Sequence, residues 1–140
     1  MEKIIFIAGE FHKKEIELML KEASEEAAAC NLEALGVCWV PGSFEIPISL
    51  QKALERSDLD GVVLLGIIER GETKHGLVMG QVVLQSVMNL QLEHKKPVGI
   101  GIIGPEVLPE QIEPRLISHA RNAVKAVRSI LDQEVQEIAV

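Results

Sequence analysis

The sequence predicts a single α/β domain over residues 1–140, built on a four-stranded parallel sheet of order 2-1-3-4 with helices on both faces. Three observations predict it. Four short apolar runs alternate with four longer segments whose apolar residues recur at helical spacing. The runs are continuous rather than alternating, the signature of strands covered on both faces by crossover helices. A chain of 140 residues with 47% hydrophobic content can form one core without disulfide or metal staples. Right-handed crossovers then leave few arrangements, and 2-1-3-4 is the simplest with helices on both sides. This is a flavodoxin-like three-layer sandwich.

Each element follows in order. Lys3–Gly9 (KIIFIAG) is β-branched, apolar and short, hence a strand. From His12 to about Asn31, Ile16, Met19, Leu20, Ala23, Ala27 and Cys30 share one helical face. Glu33–Val40 is the second strand, stopped by Pro41 and Gly42, and Ile46–Ser57 is a short helix. Gly61–Ile68 (GVVLLGII) is the third strand, followed by a helix from Leu77 to about Lys95. Pro97–Ile103 is the fourth strand, and GPEVLPEQIEP is a proline-interrupted loop. Arg115 to about Glu137 closes the chain as a long helix with Ala120, Ala123, Val124, Val127, Ile130 and Leu131 on one face.

Composition excludes several function classes. A net charge of −7 disfavours a general binder of nucleic acid or anionic membrane, while leaving room for a small anion held by local cations. No segment approaches the roughly 18 apolar residues that span a bilayer. The first residues lack the basic start and cleavage site of a signal peptide. Cys30 and Cys38 stand alone, without CxxC spacing or nearby histidines, so they read as buried, reduced thiols of a cytoplasmic protein rather than metal ligands. No metal site is expected.

Ligands of parallel open sheets bind outside the carboxyl ends of the strands, near the point where the winding reverses. Four loops share that edge, and each admits a structural and a functional reading. Phe11 can stack on a heteroaromatic ring or staple the first helix. In VPGSFEIP, Ser43 and Glu45 can hold polar ligand groups or cap a helix. In RGETKHG, Gly71 and Thr73 sit at a helix entrance where amides cradle anions. His75 in the same loop is the best general acid/base candidate, or a solvated histidine at a helix start. His12 lies at the same edge. Arg115, after the fourth strand, suits a phosphate or an ion pair with Glu110 or Glu113.

VPGSFEIP, then a buried strand and RGETKH about two dozen residues later, closely resembles the lumazine synthase family. The likeness runs from AGEF to the terminal helix and includes KPVGIGIIGP and EQIEPR. It implies an enzyme of riboflavin biosynthesis, a transferase that condenses 5-amino-6-(D-ribitylamino)uracil with 3,4-dihydroxy-2-butanone 4-phosphate and needs no cofactor. By position, Phe11 stacks on the pyrimidine, Ser43 and Glu45 hold the ribityl chain, and Gly42 and Phe44 of the same loop belong to the substrate site. Ile67, Ile68 and Glu69 wall the ring, and Gly71, Glu72 and Thr73 cradle the phosphate. His75 transfers protons. Arg115, the second catalytic residue, comes from a neighbouring subunit, and Ile100 and Arg121 complete the substrate site. The resemblance also implies a homo-oligomer built from pentamers, with riboflavin synthase as a further partner.

The sequence departs from the family pattern at four points. Glu69 stands where an apolar residue is usual, and Gly76 follows the histidine where an aromatic is common. Ile100 replaces a phenylalanine found in many members. Arg121 is offset by one residue from the basic position of the last helix. The alternative these departures keep open is a non-catalytic flavin- or lumazine-binding protein, or a shell-forming protein, of the same fold.

Overall fold

The computed structural model describes residues 1–139. Strands β1 (Lys3–Gly9), β2 (Glu33–Val40), β3 (Gly61–Glu69) and β4 (Val98–Val107) form one parallel sheet of order β2-β1-β3-β4, as the sequence predicts. Helices α1 (Lys13–Ala29), α2 (Ile46–Leu54), α3 (His75–His94), α4 (Pro109–Ile112) and α5 (Leu116–Leu131) follow in chain order. Short 3₁₀ turns at Ser43–Glu45 and Glu113–Arg115 lead into α2 and α5.

The strict period of a strand divides the core in two. Ile4, Phe6, Ala8, Val63, Leu65 and Ile67 point to one face, where Ile16, Met19, Ala23 and Ala27 of α1 and Ala120, Ala123, Val124 and Val127 of α5 cover them. Ile5, Ile7, Val62, Leu64 and Ile68 point to the other, beneath Ile46, Leu50 and Leu54 of α2 and Val83 and Val87 of α3. Small residues set the spacing between layers. A Cβ on Gly99 would meet the Ala123 carbonyl oxygen at 2.1 Å, so the α5 backbone rests directly on β4.

Several boundaries differ from the sequence reading, each for a physical reason. Helix α5 stops at Leu131, not near Glu137, because the following Val135 and Ile138 have no surface to pack against and remain exposed. Ile130 is likewise exposed instead of facing the core. Helix α2 ends at Leu54 rather than Ser57. Strand β4 runs through Gly104 and Pro105 to Val107, which pairs with Glu69, and the Arg70 amide donates to the Val107 carbonyl at 2.8 Å. Proline is tolerated there because β4 is an edge strand. The cysteines are free, but neither is buried: Cys30, just past the end of α1, is half-buried, and Cys38 is exposed because β2 is the other edge and most of its residues face outward. None of the described helices is long and apolar enough to cross a membrane.

Candidate functional site

A cleft of about 360 Å³ opens at the carboxyl edge where β1 meets β3, the reversal point of the sheet. Phe11, Pro41, Gly42, Ser43, Ile67, Ile68, Glu69, Gly71, Thr73, His75, Gly76 and Met79 line it. Three separate loops therefore deliver the predicted aromatic, hydroxyl and imidazole groups to one place.

Each side chain is positioned by its element. Phe11 stands just before α1, more than half exposed, with its ring edge-on to His12 at 4.4 Å. It does not act as a buried staple. Pro41 and Gly42 end β2 and turn the chain so that Ser43 points inward; it is the buried polar residue among those described. Neither Ser43 nor Glu45 forms a side-chain cap for the helices that begin there, so the capping reading of this loop is not realised. Ile67 and Ile68, both buried, supply an apolar wall at the end of β3.

Helix α3 begins two residues earlier than its apolar pattern suggests, with His75 as its first residue. The Thr73 hydroxyl accepts a hydrogen bond from the His75 amide at 3.3 Å and so fixes the helix start. The first amides of α3 lack partners within the helix and face outward from its N-terminus, a favourable setting for an anion. The His75 ring is exposed and meets the Phe44 ring edge-on, with centroids 5.8 Å apart. Phe44 thus supplies the aromatic backdrop that Gly76 does not. Gly76 has its own reason: a Cβ would lie 3.0 Å from the Glu69 carbonyl oxygen, so glycine lets α3 start close against the end of β3.

The remaining predicted residues lie elsewhere on the chain. Glu45 and Glu72 are exposed beside the cleft loops without lining the cleft. Arg115 lies over the end of β4, in a shallow depression with Gly104, Pro105, Gln111 and His119. Its guanidinium donates to the Gln111 carbonyl at 2.9 Å, leaving most of its donors outward. Ile100 lines a further depression with His119 and Asn122. Arg121 donates to Glu22, Glu25 and Glu26 of α1, and Glu22 foremost, with Glu26, holds its guanidinium still more firmly protonated. Within one chain, then, Arg115, Ile100 and Arg121 do not reach the cleft. Met79 was not anticipated, although it stands four residues after His75, one helical turn along the same face. Among the described residues no cluster of potential metal ligands occurs.

Comparison with known proteins gives a consistent picture. A family model described as 6,7-dimethyl-8-ribityllumazine synthase matches residues 2–134. A protein of that name from Staphylothermus marinus is 38% identical over 133 residues, covering 95% of this chain and 89% of the relative. One from Metallosphaera sedula is 40% identical over 124 residues, covering 89% and 82%. Another, from Saccharolobus solfataricus, is 35% identical over 127 residues, covering 91% and 82%.

Proposed function

The chain belongs to the 6,7-dimethyl-8-ribityllumazine synthase family, and from that premise we propose how its cleft works and what completes it. It condenses 5-amino-6-(D-ribitylamino)uracil with 3,4-dihydroxy-2-butanone 4-phosphate, releasing phosphate and water, as a single-domain enzyme of riboflavin biosynthesis acting in the cytoplasm. The observation that carries this reading is the convergence of Phe11, Ser43, Ile67, Ile68, Thr73 and His75 on one cleft.

The pyrimidine stacks on Phe11 against the wall of Ile67 and Ile68, with Glu69 at its rim. Gly42, Ser43, Phe44 and Glu45 hold the ribityl chain, their loop following it outward from the buried Ser43 hydroxyl. The phosphate sits at the start of α3 on the amides of Gly71, Glu72 and Thr73, where the helix dipole favours negative charge. The amine of the pyrimidine attacks the ketone and a first water leaves to form an imine; phosphate is then eliminated to an enol that becomes a carbonyl, and the ribityl-bearing nitrogen attacks that carbonyl and loses a second water to close the ring. Each step moves a proton, and His75 carries it between the ring and the phosphate cradle. Such a group contributes roughly 10²–10⁴-fold. Holding two substrates in reacting geometry supplies much of the rest.

The site is completed by a second copy. Arg115, exposed with outward donors, suits a phosphate presented by a neighbour, and Ile100 on the adjoining strand closes over the ring in the same contact. Arg121 we assign to holding α1 against α5, since three carboxylates already engage it. Assembly is supported by apolar side chains left exposed on one chain: Leu35 and Val37 on β2, Val78, Val82 and Leu92 on α3. A pentamer is the closed ring that pairs each cleft with the next copy's Arg115 face, and riboflavin synthase would take up the product. Mixing the two substrates with the protein tests the activity. One lumazine, seen by its absorbance and fluorescence, and one phosphate per turnover are expected; binding of the pyrimidine without product would favour the non-catalytic alternative.

A further inference from the structure

A histidine behind the cleft has no role in the chemistry described so far, and its environment is unusual. His12 sits at the start of α1 in the left-handed backbone region, with φ 60 and ψ 44. That conformation fixes the direction in which its side chain leaves the chain. Its Nε2 is shut off from water and has no hydrogen-bond partner, a costly condition for a buried polar atom. Nε2 points toward the Glu69 carboxylate, with Oε1 at 3.8 Å. Its ring carries the Phe11 ring edge-on at 4.4 Å. Glu69, half-buried, lines both the candidate cleft and a second cleft of about 460 Å³ behind it. Lys14 and Glu15 of α1 and Glu113 of the turn before α5 line that second cleft with the pair.

We propose that His12 and Glu69 form a positioning pair that sets the Phe11 ring and the end of β3 for the pyrimidine substrate. This rests on the reading of the cleft given above. An Nε2–H, in the neutral ring or the imidazolium, aims at the carboxylate, and a shift of roughly 1 Å brings the two to hydrogen-bond distance. The bond holds the carboxylate off the apolar wall of Ile67 and Ile68 and locks the imidazole on which Phe11 leans. It gives a physical reason for a glutamate at the end of an otherwise apolar strand. Neither residue takes part in proton transfer, so the pair acts on one substrate's binding.

The test is a double-mutant cycle with His12→Asn, which tolerates the left-handed conformation, and Glu69→Leu. Each single change should raise the KM for the pyrimidine roughly three- to tenfold, and the double change no further, because both remove one interaction. Turnover of His12→Asn and the KM for the phosphate substrate should stay within about twofold, and Glu69→Gln, which keeps an acceptor, should recover most of the loss. Additive effects, an unchanged pyrimidine KM, or an equal rise in the phosphate-substrate KM would overturn the pair. Riboflavin binding by the same proteins, titrated through its fluorescence, decides the pair separately from turnover. A wild-type protein that binds riboflavin but makes no lumazine counts against the catalytic reading alone. One that does neither overturns both.

Discussion

His75 gains its place from three neighbours: the Thr73 hydroxyl on its amide, the Phe44 ring at its edge, and Gly76, whose missing side chain draws the helix start toward β3. In the proposed mechanism an imidazole held this way moves protons without carrying the binding of either substrate. His75→Ala should therefore lower kcat by roughly 10²-fold or more, while riboflavin affinity changes only a few-fold; single-turnover kinetics beside a fluorescence titration would separate the two. Much of this was legible in the sequence. Ser43, Thr73 and His75 stood in loops that the strand–helix order assigned to one edge. What the sequence withheld depends on distance between segments. Phe44 reads as a ligand-loop residue and becomes a partner of His75 only once the loops after β2 and β3 meet. Nothing in the order of residues marks His12 as facing Glu69, 57 positions away in the chain.

Strands and helices were the most legible elements, because burial on both faces writes itself as continuous apolar runs. Their ends were less so, since ends depend on what is nearby. Helix α5 has a helix-compatible sequence past Leu131 but no surface to cover it, and β4 continues past Ile103 because Glu69 and Arg70 offer it a partner. The contact of α5 with β4 is tight enough to test. Gly99→Ala drives a methyl into the Ala123 backbone and should cost roughly 1–3 kcal/mol, seen as a lower midpoint in denaturant at unchanged slope. Arg128 fastens the end of α5 to the start of β1, donating to Glu2 at 2.9 Å and to Asp132 at 2.8 Å. Its hydrogen bond holds the Glu2 carboxyl below the usual range, and Arg56 does the same for Asp58. A lowered carboxylate stabilises the fold above its unfolded-state pKa, and that contribution is lost as pH falls through the folded one. Stability should thus hold above about pH 5 and decline below about pH 4. Arg128→Gln should lower the thermal midpoint near neutrality, and the gap to wild type should narrow in acid.

On the scale of the whole molecule, the residues proposed for the site are divided between separate parts of one chain. The cleft with His75 opens at the edge shared by β1 and β3, whereas Arg115 and Ile100 lie on the α5 and β4 side, in depressions of their own. The same chain exposes β2 as an unpaired edge and apolar positions along α3, surfaces that an isolated molecule has no reason to keep. A ring in which each cleft meets the next copy's α5 accounts for both facts, and such head-to-tail contacts close into rings when the rotation permits. Light scattering should then report a multiple of five chains. Arg115→Ala should raise the KM for the phosphate substrate and leave that for the pyrimidine nearly unchanged. The most direct measurement unfolds His75→Ala and Arg115→Ala proteins together, refolds them as mixed assemblies, and assays them at limiting phosphate substrate. If the site is shared, about a quarter of the interfaces pair an intact cleft with an intact Arg115, and activity should rise well above that of either variant refolded alone. Activity no greater than the mean of the two separate variants would contradict it.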